Sequence, residues 1–138
     1  MSEHRFFYLM HTAHHAMFKQ AEKQCMTHLN ISCVQLSALF YLQKNDGCLL
    51  KELSSGLSLN NSAITGLVTR MISGGLVVKK NCELDARAFR IFMTTKAREV
   101  LPTGFSLLKQ FNKKIAEQFS DEEIEIVAKF LQSMTQME

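Results

Sequence analysis

The sequence predicts a mainly α-helical protein with one small β-hairpin, and three observations support this fold class. Long stretches of the chain repeat apolar residues every three or four positions, which is the period of an amphipathic helix. One Pro and six Gly are too few for a turn-rich β-sandwich. A chain of 138 residues with 46% hydrophobic and 21% charged residues is typical of one globular domain, so we expect a single domain over residues 1–138.

Two helices are predicted first, over residues 5–29 and after Ser32. The first helix has an apolar stripe that needs a partner to cover it. Ser32 and Gln35 form a capping box, which fixes the start of the second helix, and the Asn45-Asp46-Gly47 turn ends it. The stripe of the first helix consists of Phe6, Met10, Ala13, Met17, Ala21 and Cys25.

A short third helix is predicted to end near Gly56, and Asn60 can cap a fourth helix that runs to Gly74. Solvent-facing helix surfaces usually carry Lys and Glu, whereas one side of this fourth helix is small and uncharged. Such a side favours close approach to another surface, and packing on a neighbouring element is the alternative. The apolar side comprises Ile64, Leu67, Val68, Met71 and Ile72, and the small side comprises Ser62, Thr65, Gly66, Thr69 and Ser73.

Two strands are predicted over residues 76–80 and 88–93, with the hairpin tip between them. The second strand alternates, with Phe89, Ile91 and Met93 expected inward and Arg90 and Phe92 outward. From Ser58 to Arg98 the chain carries seven basic and two acidic residues, a net charge of +5, whereas the whole chain carries only +3. This concentration of positive charge favours an anionic partner, although a solvated face is the alternative.

The C-terminal third is predicted to be helical. Thr94 can cap a fifth helix, in which Pro102 removes a backbone donor and should cause a kink or break before residues 105–119. Ser120 and Glu123 form another capping box at the start of the last helix. The predicted element order is therefore ααααββαα. The apolar side of the last helix consists of Ile124, Val127, Leu131 and Met134.

A helix, a turn, a polar-sided helix and a basic hairpin form the layout of a winged helix-turn-helix. The major groove of double-stranded DNA admits one α-helix, and short hydroxyl and amide side chains can bond base edges there, so residues 60–70 fit that groove. Basic side chains of the hairpin would lie along the flanking phosphates and displace counterions. The predicted contacts are Asn61, Ser62, Thr65, Thr69 and Arg70 on the helix and Lys79, Lys80, Arg87 and Arg90 on the hairpin.

From about Ile31 to Thr95 the sequence resembles the multiple-antibiotic-resistance regulator (MarR) family of bacterial transcription factors. The resemblance rests on LSLNNSAITGLVTRMISGGLVVKK, on the Asp-x-Arg of Asp85 and Arg87 within ELDARAFRIFMTTKA, and on the helix start at Thr94. The terminal segments, including SDEEIEIVAKFL, are similar to the dimerisation helices of the family. The resemblance therefore implies dimerisation helices over 1–30 and 103–138 and a DNA-binding core over 31–95, with its wing at 76–93.

The resemblance also implies a function: a homodimeric repressor that binds a palindromic operator and responds to a small-molecule effector. It makes residues 61–73 the recognition helix, places Arg87 at the wing tip in the minor groove, and lets Asp85 brace that arginine or the hairpin. Two features depart from the family pattern. Gly66 stands where many relatives carry an arginine, and the tip segment NCELDA is less basic than usual.

Three kinds of effector site can be compared with the residues. His14, Met17 and Phe18 could line a ligand pocket, with a satisfied core histidine as the alternative. Cys82 is the cysteine expected to be exposed, and it could sense oxidation, whereas Cys25, Cys33 and Cys48 are expected in the core. His11 and His15 are spaced so that they could share a metal ion. However, no acidic residue or cysteine lies at a spacing that would complete the site, so we predict neither a metal nor a cofactor.

Other function classes find little support in the sequence. No Gly-rich phosphate loop, GxSxG or HExxH occurs, so we do not expect an enzyme. No apolar run is long enough for a membrane span, no signal peptide is present, and the four cysteines form no CxxC, which together predict a cytoplasmic protein with free thiols. The remaining alternative is a winged-helix protein-interaction module without DNA binding.

Overall fold

The structure is a computed structural model, and it describes residues 5–137; residues 1–4 and 138 of the predicted domain lie outside the described residues. Six helices and three short strands make up this part of the chain, which confirms the predicted mainly α class with a small β wing. In chain order they are α1 Phe6–Leu29, α2 Cys33–Asn45, β1 Cys48–Leu49, α3 Leu50–Gly56, α4 Asn61–Ser73, β2 Val77–Asn81, β3 Phe89–Met93, α5 Thr95–Ala116 and α6 Asp121–Met134.

The predicted hairpin is part of a three-stranded antiparallel sheet with the order β1-β3-β2. Strands β2 and β3 pair from Val77 opposite Met93 to Asn81 opposite Phe89. The additional strand β1 pairs with β3 through two residues, Cys48 and Leu49. A strand of two residues has no measurable period, so the sequence pattern missed it.

All four predicted N-caps are present in the structure, and at the start of α5 the Thr94 hydroxyl accepts from the Ala97 N–H at 3.2 Å. The Ser32 hydroxyl accepts from the Gln35 N–H at 3.1 Å, and the Gln35 side chain accepts in return from the Ser32 N–H at 3.0 Å. Asn60 caps α4 by accepting from the Ala63 N–H at 2.8 Å. Ser120 and Glu123 repeat the capping box at α6. These bonds satisfy backbone donors that a helix start leaves without a partner.

The hydrophobic core lies between α2, α3, α4 and the sheet. From α4 it receives Ile64, Leu67 and Met71, each at most 2% exposed. Ile72 was expected on the same side but is 40% exposed, because it lies about 100° around the helix from Met71. Other fully buried side chains are Leu39, Leu42, Leu53, Leu76, Val77 and Ile91. The alternation predicted for β3 holds for Ile91 and Met93, whereas Phe89, Arg90 and Phe92 are all half-buried.

The chain divides into two compact units, of which the first ends at Gly104 and the second begins at Phe105. The boundary lies within α5 and beside residue 103, where the C-terminal dimerisation segment was predicted to start. The sequence predicted a kink or a break at Pro102; the break is wrong, because α5 continues through this residue from Thr95 to Ala116, and the kink stays a prediction. Pro102 is exposed, so water can satisfy the backbone carbonyl that proline leaves without a donor.

Of the described helices, none alone has the length and hydropathy of a membrane span. Only α1 and α2 taken together, which are bent by 77° at their junction, reach those limits.

Candidate nucleic-acid interface

The small polar side of α4 faces solvent, as the sequence predicted. Ser62, Thr65, Thr69 and Ser73 are exposed, so packing of this side on a neighbouring element of the chain is not observed. The Thr65 hydroxyl donates to the Asn61 carbonyl at 2.8 Å, and the Thr69 hydroxyl donates to the Thr65 carbonyl at 2.9 Å. Both hydroxyls therefore donate within the helix, and each oxygen keeps the capacity to accept a further hydrogen bond.

A tight connection after α3 fixes where α4 begins. The buried Ser54 hydroxyl donates to the Leu59 carbonyl at 2.5 Å, and the Leu59 N–H donates back to the Ser54 carbonyl at 2.9 Å. Ser58 takes a left-handed backbone conformation with φ 55°, which reverses the chain between the two helices. The Asn60 cap follows directly in sequence. The start of α4 is therefore fixed by four residues of this connection, Ser54, Ser58, Leu59 and Asn60.

The wing presents Arg87 at its tip. The Arg87 side chain is 97% exposed, and its Nε lies 4.0 Å from Asp85 Oδ1. The same carboxylate oxygen accepts from the Arg87 backbone N–H at 2.9 Å. An exposed ion pair adds little stability, so the main effect of Asp85 is to shape the turn that carries Arg87, which agrees with its predicted bracing position.

Two lysines of β2 are held above aromatic rings of β3. Lys79 Nζ lies 4.3 Å from the ring centroid of Phe89, and Lys80 Nζ lies 5.0 Å from that of Phe92. Successive residues of a strand point to opposite faces, so the wing carries one cation on each face. The cation–π contacts limit where the two charged groups can lie.

Arg90 was predicted to contact phosphates, but the structure uses it inside the fold. Its Nη1 donates to the Gly47 carbonyl at 2.9 Å, and the residue is half-buried. Sequence reasoning also missed Asp46, whose two oxygens accept from the Met93 N–H at 2.8 Å and from Arg98 Nη2 at 3.0 Å. These partners are 43 to 52 residues apart in sequence, so no local pattern could show them.

A groove of about 480 Å³ lies between the start of α4 and the wing. It brings together residues that the sequence singled out separately. Asn61 and Thr65 line it from α4, and Asp85 and Arg87 line it from the wing tip. Cys82 and Arg90 also line it, whereas Ser62, Thr69, Arg70, Lys79 and Lys80 do not.

Cys82 differs from the expectation that it is exposed, because the residue is only 7% exposed. Its pKa is nevertheless lowered, chiefly by the backbone N–H of Leu84 and then by that of Asp85 and by the Arg90 guanidinium. A redox-sensing thiol needs both a stabilised thiolate and access to the oxidant. Cys82 meets the first condition and not the second, and its redox role stays a prediction.

The core cysteines lie as predicted, with one contact that the sequence did not show. Cys25 and Cys48 are buried and Cys33 is half-buried. The Cys25 thiol hydrogen-bonds with Cys33, and Glu22 accepts from the Cys33 backbone N–H at 3.3 Å. Burial first, then Cys33 and the charge of Glu22, raise the pKa of Cys25 to about 11, so this thiol stays protonated at neutral pH.

The residues proposed for an effector pocket lie in the open on α1. Phe18 is 38% exposed and Met17 44%, and the His14 ring lies 4.8 Å from that of Phe18 at the same surface. The buried imidazole expected for His14 is therefore wrong, because this histidine is exposed. A pocket at these residues stays a prediction. Over residues 5–137, no three His, Cys, Asp or Glu side chains come together as metal ligands.

Comparison with known sequences identifies relatives of the chain. The sequence profile described as the MarR family matches residues 29–88, which contain α2, α3, α4 and most of the wing. The chain is 26% identical to the HTH-type transcriptional regulator BilQ of Clostridioides difficile, over 83% of this chain and 77% of that protein. It is 27% identical to the organic hydroperoxide resistance transcriptional regulator of Bacillus subtilis, over 83% and 82%.

Solved structures show the same fold. A MarR protein of Peptoclostridium difficile superposes with a TM-score of 0.89 at 24% identity, covering 99% of this chain and 88% of that one. The MepR protein of Staphylococcus aureus, solved in complex with DNA, gives 0.87 at 21% identity over 97% and 98%. A MarR variant of Escherichia coli with operator DNA gives 0.85 at 18% identity over 92% and 91%. Residues 29–88 thus match the MarR family of transcriptional regulators by sequence profile, and nearly the whole chain shares the fold of the MarR-type structures.

Proposed function

We propose that this protein regulates transcription by binding double-stranded DNA as a homodimer, with α4 in the major groove and the wing along the flanking backbone, and that it acts as a repressor. One observation carries the proposal. Asn61 and Thr65 at the start of the exposed polar side of α4 and Arg87, whose side chain is 97% exposed, line the same groove. A helix in the major groove and a cation beside it need this arrangement.

The contacts we propose are those whose side chains are available to DNA. On α4 they are Asn61, Ser62, Thr65, Thr69 and Arg70, and on the wing they are Lys79, Lys80 and Arg87, with Asp85 as the residue that shapes the tip. Arg90 is left out because its guanidinium binds the Gly47 carbonyl. The DNA complexes of MepR and of the E. coli MarR variant, which share this fold, agree with the proposal.

A homodimer is proposed because both terminal segments expose large apolar side chains. Phe7 of α1 is 90% exposed, and Val127 and Leu131 of α6 are 52% and 49% exposed. Apolar patches of this kind mark interaction surfaces in soluble proteins. A two-fold dimer presents two copies of α4, so the operator should be a palindrome whose half-sites are about one helical turn apart.

The proposal is tested by selecting bound sequences from a random pool of double-stranded DNA and measuring affinity against salt. We expect a palindromic site and a log-log slope of several units, because each phosphate contact releases counterions. Arg87→Ala should lower that slope by about one, whereas Lys23→Ala, which removes an exposed cation of α1, should leave it unchanged. Failure to enrich any sequence, with no salt-dependent binding, would instead favour the protein-interaction module.

An effector site at His14, Met17 and Phe18 remains part of the proposal, as does a cytoplasmic location, where bacterial DNA lies. The three side chains are exposed and partly apolar, so a second copy packed on α1 could enclose a lipophilic ligand against them. A ligand that acts there should weaken operator binding by the wild type and not by Met17→Lys. Equal release of both proteins would place the ligand elsewhere.

A further inference from the structure

Gly66 lies in the middle of the exposed side of α4, one turn after Ser62 and one turn before Arg70. A Cβ atom at this position would be 3.2 Å from Nη1 of Arg70. This is closer than ordinary van der Waals contact, so a side chain at residue 66 would push the guanidinium away by a few tenths of an ångström from where it now lies. Gly66 itself is half-buried although Thr65 and Thr69 beside it are exposed.

The direction of helical side chains explains this arrangement. Side chains on an α-helix lean toward its N-terminus, so the surface above residue 66 is covered by residue 70. Arg70 extends from the edge of the exposed side, and lying back over Gly66 brings its charged group toward the centre. Glycine is among the least favourable residues inside a helix, so its presence here weakens α4 in exchange for this space.

The hydrogen-bonding capacity of the same side shows what Arg70 adds. In the free chain the hydroxyls of Thr65 and Thr69 donate to carbonyls within the helix, which leaves their oxygens able to accept from a base. Such oxygens suit the amino groups of adenine and cytosine, and the threonine methyl groups suit the methyl group of thymine. Guanine offers two acceptors in the major groove, O6 and N7, and the planar fork of an arginine can bond both at once.

We propose that Gly66 is a specificity-determining position: by carrying no side chain, it lets Arg70 lie back along the DNA-facing side of α4 and bind the O6 and N7 of one guanine in each operator half-site. Arg70 thereby supplies the cation that residue 66 itself lacks. The proposal rests on the DNA binding proposed above. It adds the base that is read and the residue that makes the reading possible.

A double-mutant cycle with Gly66→Ala, Arg70→Ala and the combined variant tests the proposal on the sites selected by the wild type. Arg70→Ala should bind about 5- to 150-fold more weakly and lose the preference for one G·C pair per half-site. Gly66→Ala should bind about 2- to 10-fold more weakly, in the lower part of the range for coupled neighbours, although its melting temperature rises by about 3 °C through better helix propensity. In the Arg70→Ala background, Gly66→Ala should cause no further loss.

Two further variants serve as controls. Arg70→Lys keeps the charge and loses the planar fork, so it should bind with less loss than Arg70→Ala and with a weaker guanine preference than the wild type. Ser37→Ala raises the helix propensity of the exposed side of α2, away from α4, and should leave operator binding unchanged. It shows whether a more stable protein binds DNA differently for reasons unrelated to Arg70.

The alternative outcomes are distinct. A loss from Gly66→Ala that persists without Arg70 would mean that the methyl group clashes with DNA directly, which overturns the proposal. Unchanged binding by Gly66→Ala would overturn it too, as would an Arg70→Ala variant that weakens all sequences equally, since that pattern identifies a phosphate contact. If the wild type selects no DNA sequence, the proposed function itself is refuted. The variants would then have no selected site on which their binding could be measured.

Discussion

Helices α4 and α6 are alike in length and in the way they begin, yet their apolar residues have different surroundings. The two helices have 13 and 14 residues, and each is capped by a polar side chain, Asn60 or Ser120. In α4, Leu67 and Met71 are 1% and 0% exposed, whereas α6 has no buried residue at all and its Ile126 is 67% exposed. The comparison teaches that apolar spacing predicts a helix and its apolar side, while the partner that covers this side has to come from elsewhere.

The difference between the two helices should appear most strongly in global stability. Met71→Ala removes a fully buried side chain and should lower the free energy of unfolding by about 2–5 kcal/mol, measured by urea denaturation. Leu131→Ala, which removes a side chain that is 49% exposed in the single chain, should cost less than 1 kcal/mol at protein concentrations where the chain is monomeric. Equal losses would show that α6 is covered within its own chain.

A charge on α6 should separate the subunits of the proposed dimer. Val127→Asp places a carboxylate among exposed apolar residues, and burying it against a second copy should weaken dimerisation by about 2 kcal/mol or more, roughly 30-fold in Kd. Sedimentation at micromolar concentration should show a dimer for the wild type and a monomer for the variant. Glu125→Asp, a conservative change on the same helix, is the control. A monomeric wild type would contradict the dimer.

Removing the caps tests whether the two helices are coupled to the rest of the fold. Asn60→Ala should cost about 1 kcal/mol of global stability, because the Ala63 N–H loses its acceptor and α4 belongs to the core. Ser120→Ala should cost a similar amount within α6, detected as faster amide hydrogen exchange there. If amide exchange in the wild type is slower in α6 than in α4, then α6 is the more stable of the two helices and this prediction is wrong.

The smallest expected effect depends on pH. Glu123 accepts from the Ser120 N–H at 2.9 Å, and this bond together with the Ser120 hydroxyl lowers the pKa of Glu123 below its ordinary 4.5. A depressed carboxyl pKa stabilises the folded form above pH 4.5, and this stabilisation disappears as the pH falls through the lower, folded-state pKa. The protection factors of amides at the start of α6, which correct for the intrinsic exchange rate, should therefore fall in acid, whereas those of α4, capped by the uncharged Asn60, should fall less. Glu123→Gln should abolish the difference.

Local signals made much of the fold predictable. Ser32, Asn60 and Ser120 are side chains that bond a backbone N–H three residues away, so the helix starts were visible in the sequence. The exposed polar side of α4 was equally visible, because helical spacing alone separates Thr65 and Thr69 from Ile64 and Met71. These residues account for the part of the candidate site that sequence reasoning found.

The rest of the site depends on contacts between distant parts of the chain. Strand β1 exists because Cys48 and Leu49 meet β3, and Arg90 is held by a carbonyl 43 residues away. Cys82 is buried because of the way the hairpin closes. The charged residues near it in sequence, Lys80 and Glu83, had favoured an exposed position instead. The contact between Arg70 and Gly66 is local, since the two residues are four positions apart. The sequence could not show it, because helical spacing does not give the direction in which an exposed arginine side chain points.

The anchoring of the hairpin at Asp46 and Gly47 has a consequence for how this protein could change over time. Arg90 and the Met93 N–H fasten the base of the wing to the turn before β1, while Arg87 at the tip bonds with its neighbour Asp85. Base and tip are thus held by separate sets of contacts. Residues 83–87 can be exchanged as a cassette, by evolution or by an engineer who wants a new operator, without disturbing the scaffold that carries them.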